Sequence, residues 1–222
     1  HLAYPVIHIT GTNGKGSTAQ IITRILMAHG LTVGTYSSPH LHRVNERITR
    51  DCEPISDEEF GRVMGEVADL ETLGGVSPSY FDILTAAGFS WFADAGIDVA
   101  VIEVGMLGRW DATNVVQSAV TVVTNVALDH TDYAGPTRVH IAREKSGIAK
   151  PDAPMVLGEN DSETLNEFMA AGAKELVIRG EHFDCVDNHL ALGGRMIDVK
   201  TSRADYRELF VPLHGRHQGL NA

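Results

Sequence analysis

The 222 residues are 43% hydrophobic and 6% aromatic, enough apolar material for one large α/β domain or one domain with a small appendage, and a poor match to a disordered chain. Eighteen basic against 29 acidic side chains give a formal net charge of −11, so nucleic acid and anionic membrane are not expected partners and any phosphate site must be local. Cys52 and Cys185 stand far apart without metal-ligand spacing, and there is no secretory segment or 18-residue apolar run, so the expectation is a soluble protein of a reducing cytoplasm.

The first 150 or so residues alternate short apolar runs with helical periods, the signature of βαβ units and a mostly parallel sheet. "PVIHIT" (5–10) reads as a buried strand. The glycine turn after it leads into a helix with Ile21, Ile22, Ile25 and Leu26 on one stripe and Gly30 as its stop. "LTVGTYSS" (31–38) reads as the next strand. Ser56 and Glu59 sit at capping-box spacing and predict a helix to about Leu70, followed by a loop over 73–79. The segment 80–96 is a strongly apolar helix with Gly88 as a weak point. "DVAVIEVG" (98–105) and "AVTVVTNVALDH" (119–130) are strands, and 137–150 is helical. "PMVLG", "SETLNEFMAAGA" and "ELVIRG" form a further strand–helix–strand set. From residue 181 short alternating segments around Gly193 and Gly194 predict antiparallel hairpins. The expected organisation is a core over 1–180, a small β extension of the same domain over 181–213, and the start of a further helix over 214–222. His1 in place of Met, and a helical pattern opening near Ala222, predict a chain cut at both ends.

The chemistry concentrates where strands end. Gly11, Gly14 and Gly16 surround Lys15, and Ser17 opens the helix; glycines let backbone N–H groups converge on an anion, lysine adds a point charge, and the helix N-terminus adds its dipole. The strict GxxxxGK[ST] pattern would want glycine at Ile9 and a hydroxyl at Gly16, so the regular expression fails while its strand–turn–helix context holds. The bland alternative is a glycine-rich turn with a solvated lysine. Glu103 ends an apolar strand at the carboxyl edge of the sheet, where a magnesium ion against ATP phosphates needs a hard oxygen ligand. A purely structural Glu103 would need a nearby cation. His130 follows the next strand at a comparable place and is either a satisfied structural histidine or a partner of Glu103. "GRWDATN" places Arg109, Asp111 and Asn114 in a polar loop beyond Glu103, which binds substrate or is simply solvated. Lys145 alone reads as a helix-surface lysine.

Residues 11–17, GTNGKGS, together with "YSSPHL" (36–41), "NERI" (45–48), "PISDEEF" (54–60), Ile102 to Asn114, "LDHT" (128–131), "REKSGI" (143–148) and "GRHQGLN" (215–221), resemble the folylpolyglutamate synthase and dihydrofolate synthase family of Mur ligases, in order along essentially the whole chain. The extra Gly16 is this family's own version of the cradle. The resemblance implies a P-loop α/β domain and an ATP-dependent ligase, a monomer, that joins L-glutamate to a carboxylate of dihydropteroate or of a folate's glutamate tail through an acyl phosphate. It implies that Gly11, Thr12, Asn13, Gly14, Lys15, Gly16, Ser17 and Thr18 form the nucleotide cradle, with Lys15 on the β- and γ-phosphates. It implies that Ser38, Glu103 and His130 ligate magnesium, and that Lys145 is a carbamylated lysine near a second magnesium ion. Lys15, Lys145 and His130 are thereby the expected catalytic residues. Arg109, Asp111 and Asn114 fall in the substrate loop, and His217, Gln218 and Asn221 in an ATP-contacting segment. The family carries a C-terminal Rossmann-like domain that supplies the glutamate site, so these residues correspond to the ATPase domain alone. The family loop reads GLGGR where this chain has "GMLGR"; if that glycine takes positive φ, Leu107 costs on the order of 1–2 kcal/mol and shifts the loop. A Mur-type ligase acting on a UDP-muramyl acceptor and a non-catalytic nucleotide-binding fragment are the competing readings.

Overall fold

The computed structural model describes residues 3–222. Eight strands form one sheet: β1 (Val6–Thr10), β2 (Val33–Tyr36), β3 (Ile48–Arg50), β4 (Glu53–Pro54), β5 (Val99–Glu103), β6 (Val120–Val123), β7 (Pro154–Leu157) and β8 (Glu175–Ile178). Their order is β4-β3-β2-β5-β1-β6-β7-β8. The run from β2 to β8 is parallel, and β3 and β4 add an antiparallel edge. This is the mostly parallel sheet that the βα alternation predicts. All of β5 is buried, which is why it reads as one continuous apolar run instead of an alternation.

The β3–β4 hairpin was not foreseen. Its strands are too short to show a period, and its turn uses Asp51 and Cys52 at φ 52° and 67° in place of Asn-Gly. Asp51 Oδ1 accepts the Val33 N–H at 2.8 Å, which anchors the turn to the neighbouring strand.

Helices α1 (Lys15–Ala28), α2 (Asp57–Gly74) and α3 (Tyr80–Asp94) flank this half of the sheet. On α1 the expected stripe is corrected: Ala19 and Thr23 are buried and Ile22 and Leu26 pack beside the core, while Ile25 is 51% exposed. The four apolar residues span too wide an arc for one face, and Ile21 and Ile25 border an apolar groove with Val120 and Val122. Ser56 caps α2 by accepting the Glu59 N–H, but the helix runs on to Gly74 and ends where Gly75 adopts φ 61°. Gly88 is a close approach more than a weak point. A Cβ there would stand 3.2 Å from the Tyr36 ring, so glycine lets α3 settle on β2.

The second half carries α4 (Thr131–Ala134), α5 (Arg138–Ser146) and α6 (Leu165–Met169). The predicted strand 119–130 ends at Val123, and the predicted helix 137–150 ends at Ser146. β9 (Phe183–Ala191), β10 (Gly194–Thr201) and β11 (Asp205–Val211) form a separate three-stranded antiparallel sheet, as the change in texture at residue 181 predicts. The last helix, α7 (Arg216–Asn221), returns to α1. No helix is long and apolar enough to cross a membrane among the described residues.

Candidate functional site

β1 ends at Thr10 and α1 begins at Lys15, with Gly14 as its N-cap at φ 82°. Ser17 therefore lies within the first turn and does not open the helix. No side chain caps this end, so the first-turn N–H groups remain available to an anion. Position 14 must be glycine for two reasons: the left-handed φ, and a Cβ that would meet Asn221 Oδ1 at 2.6 Å. The turn is braced from the β6 end. Asn125 accepts the Thr12 N–H through its carbonyl at 3.0 Å and the Asn13 N–H through Oδ1 at 2.9 Å, and Thr124 Oγ1 donates to the Asn13 carbonyl at 2.6 Å. From α7, the Asn221 carbonyl accepts the Thr18 hydroxyl at 3.2 Å. Gln218 reaches Asn221 by a side-chain hydrogen bond, whereas His217 is exposed. Lys15 Nζ donates to the Gly11 carbonyl at 3.0 Å and so folds back over the cradle.

Glu103, the last residue of β5, is 3% exposed. Burial raises its pKa, partly offset by the Ser38 N–H, which donates to Oε2 at 3.1 Å, and by the charge of Lys15. A Cβ on Gly16 would lie 3.5 Å from Glu103 Oε2, which places the carboxylate against the cradle. A buried carboxylate that has no ion-pair partner among the described residues, next to Ser38 and the glycine turn, has the hard-oxygen chemistry that a divalent cation needs. His130 caps α4 at φ 49°, and its Nε2 lies 3.5 Å from Asp129 Oδ2. The structure thus joins Ser38 to Glu103 and leaves His130 beside Asp129. Among the described residues no three His, Cys, Asp or Glu side chains converge as a metal cluster.

Lys145 corrects the helix-surface reading. It is 1% exposed on α5, and burial, with repulsion from Lys15, pushes its pKa down to about 8 against the attraction of Asp129.

The loop after β5 is tied down at several points. Asp111 accepts the Met106 N–H on Oδ2 at 2.8 Å, and on Oδ1 both the Thr113 N–H at 3.0 Å and the Thr113 hydroxyl at 2.5 Å. Asn114 Nδ2 donates to the carbonyls of Arg109 and Gly147, and Lys150 Nζ donates to Asn114 Oδ1 at 3.0 Å. Arg109 donates from Nη2 to the Arg143 carbonyl at 2.9 Å and pairs with Glu144 at 3.6 Å. Arg109 and Asn114 therefore fasten the loop to α5, while Asp111 shapes its turn. Leu107 adopts φ 58°, the left-handed backbone that the missing glycine foretold.

A cavity of about 820 Å³ opens between the cradle and this loop, lined among others by Lys15, Ser38, Arg47, Phe81, Leu107 and Asp111. It unites Lys15 with the polar loop. Four supporting residues escaped the sequence reading: His8, Arg47, Asn125 and Lys150. For His8 the one available signal was an imidazole at a core position of an apolar strand. Arg47 lies in the "NERI" motif, which gave it no role of its own, and Asn125 and Lys150 carry no signal that separates them from surface residues.

Comparison with known proteins follows the same lines. The Mur ligase middle domain family matches residues 75–222. The chain is 37% identical over 240 residues to dihydrofolate synthase/folylpolyglutamate synthase of Mycobacterium tuberculosis, covering 99% of this chain and 49% of that protein. It is 47% identical over 227 residues to folylpolyglutamate synthase of Lacticaseibacillus casei, covering 97% and 52%. An FPGS–AMPPCP–folate complex superposes with a TM-score of 0.92 at 36% identity, over 98% of this chain and 55% of that one. The chain spans about half the length of the curated relatives it matches.

Proposed function

The chain belongs to the folylpolyglutamate synthase and dihydrofolate synthase family of the Mur ligase superfamily, and from that premise we propose that it is the ATP-handling part of a ligase adding L-glutamate to dihydropteroate or to a folate's glutamate tail. The observation that carries this reading is that Lys15 and Asp111 line one cavity, so a phosphate on the cradle and an acceptor against the loop share a space. A structural relative whose complex holds AMPPCP and folate supports the same pairing of ligands.

In this reading the amides of the 11–18 turn and Lys15 hold the β- and γ-phosphates of ATP. An acceptor carboxylate oxygen attacks the γ-phosphorus and ADP departs. The amine of glutamate then attacks the acyl carbon, phosphate leaves with the C–O bond, and the amine loses its proton. The work of the protein is alignment and charge neutralisation. Ser38, Glu103 and His130 are the residues that would hold magnesium, which when bound neutralises phosphate charge. Lys145 fits carbamylation chemically, because a pKa near 8 leaves a fraction of free amine to add carbon dioxide.

The test is mass spectrometry of the complete ligase that contains this chain, with ATP, magnesium, glutamate and either dihydropteroate or a reduced folate. One glutamyl residue gained per phosphate released is the expected result. Turnover of a UDP-muramyl acceptor with its amino acid, and of neither pterin acceptor, would overturn the reading.

A further inference from the structure

The short helix Val44–Arg47 ends in an arginine that the phosphate chemistry does not use. Its carbonyl accepts the Ser37 N–H at 2.9 Å, which roots Arg47 next to Ser38 and hence near the Ser38–Glu103 pair. The side chain is held from two directions. Nε donates to His40 Nδ1 at 2.9 Å, and the guanidinium carbon lies 5.8 Å from the centre of the Tyr80 ring. With Nε engaged, two Nη groups remain, and among the described residues neither meets an acceptor and no carboxylate pairs with the guanidinium.

The acids of the same cavity are committed elsewhere. Asp82 accepts the Ser79 N–H and hydroxyl at the start of α3, Asp111 holds Met106 and Thr113, and Glu144 pairs with Arg109. A planar guanidinium fixed in a cavity wall with two open N–H groups is a bidentate receptor for a carboxylate.

We propose that Arg47 binds a second carboxylate of the acceptor, the one that is not phosphorylated. The proposal deepens the ligase reading and rests on it. Dihydropteroate has a single carboxylate, which must meet the γ-phosphate and leaves nothing for Arg47. A folate ending in glutamate has two on its last residue: one reacts beside Lys15, and the other lies a few bonds away, within the span between cradle and Arg47 that one cavity provides. Arg47 is therefore a specificity residue that favours acceptors ending in glutamate and fixes which of their two carboxylates faces ATP.

The experiment measures kcat/KM and ATP-free equilibrium binding for dihydropteroate and for a reduced folate monoglutamate, with wild type, Arg47→Gln and Arg47→Lys. The folate-to-dihydropteroate ratio of kcat/KM should fall about 10- to 100-fold in Arg47→Gln, as expected for losing hydrogen bonds to a charged group, and fall less in Arg47→Lys, which keeps the charge without the fork. Folate affinity should fall in parallel. Equal losses on the two acceptors, or unchanged folate affinity, would overturn the assignment. If the complete wild-type ligase containing this chain ligates neither acceptor the ligase reading falls by itself, and the binding comparison still decides whether Arg47 holds the carboxylate.

Discussion

His8 Nε2 lies 2.8 Å from Thr113 Oγ1, tying β1 to the loop after β5 across 105 positions of the chain. The Thr113 hydroxyl has one proton and gives it to Asp111, so the imidazole must be the donor and carries its proton on Nε2. Nδ1 is buried without a partner. Burial, with Lys150 nearby, pushes the pKa of His8 down to about 3.

The pH dependence follows. Between about 6.5, the value in an unfolded chain, and about 3 the unfolded state binds the extra proton. Stability is full above the upper value and falls as pH drops toward the lower, by up to about 1.4 kcal/mol per pH unit. His8→Gln keeps a donor for Thr113 and should flatten that slope. Denaturant unfolding at pH 5 and pH 7 checks it; the same difference in variant and wild type would put the acid sensitivity elsewhere.

Glu103→Gln keeps the side chain's shape and removes its charge. Nucleotide binding should lose its magnesium dependence, whereas Lys15→Ala should weaken binding with or without the metal; calorimetry with a magnesium titration separates the two. Because burial raises the Glu103 pKa, the folded state prefers the protonated acid, and the carboxylate costs stability as pH rises above the unfolded value. The metal-free variant should therefore melt higher than wild type at pH 7 and level with it near pH 4.

Lys145→Met should end ligation while raising stability at pH 7, by about 1–3 kcal/mol, since it removes a buried ammonium whose pKa burial has lowered to about 8. The gain should shrink between about pH 8 and pH 10.5, where the folded wild type sheds the proton that the unfolded chain retains. Thermal melts across that range test both halves.

Leu107 at φ 58° sets three effects against one another. Glycine there relieves about 1–2 kcal/mol of left-handed strain. It gives back roughly 0.5–1 kcal/mol in chain entropy and some packing of the leucine beside Ile148 and its neighbours. Leu107→Gly should therefore shift stability by less than about 1 kcal/mol, whereas Leu107→Val, β-branched at the same φ, should destabilise. Chemical denaturation of the pair measures the balance.

The fold was legible where burial and period coincide. The apolar run of β5, the capping residue Ser56, and the hairpin texture after residue 181 each carry their structure in a local pattern. Glu103 could be placed because a carboxylate closing such a run has few other reasons to be there. The misses are tertiary. Ile25 belongs to an apolar arc wider than the face that meets the sheet, and β3 and β4 are shorter than any period. Lys145 looks like every surface lysine until α5 is packed. Arg47 and His8 gain their meaning from residues dozens of positions away, through Tyr80 and Thr113, and no window of sequence contains both partners.

The hydrogen bond from Thr18 to the Asn221 carbonyl joins residues 203 positions apart. Closing a flexible loop of that length costs about 5 kcal/mol by the logarithmic rule, so the contact forms only after the sheet between them has brought its ends together. The glycine turn and its clamp thus lie near opposite ends of the described residues. β1 and α1 can form from local sequence, yet the turn between them stays unclamped until α7 docks across the finished sheet. On the proposed reading, nucleotide binding at the turn reports that the sheet in between has folded, and ATP supplied during refolding should trap late intermediates and leave early ones untouched.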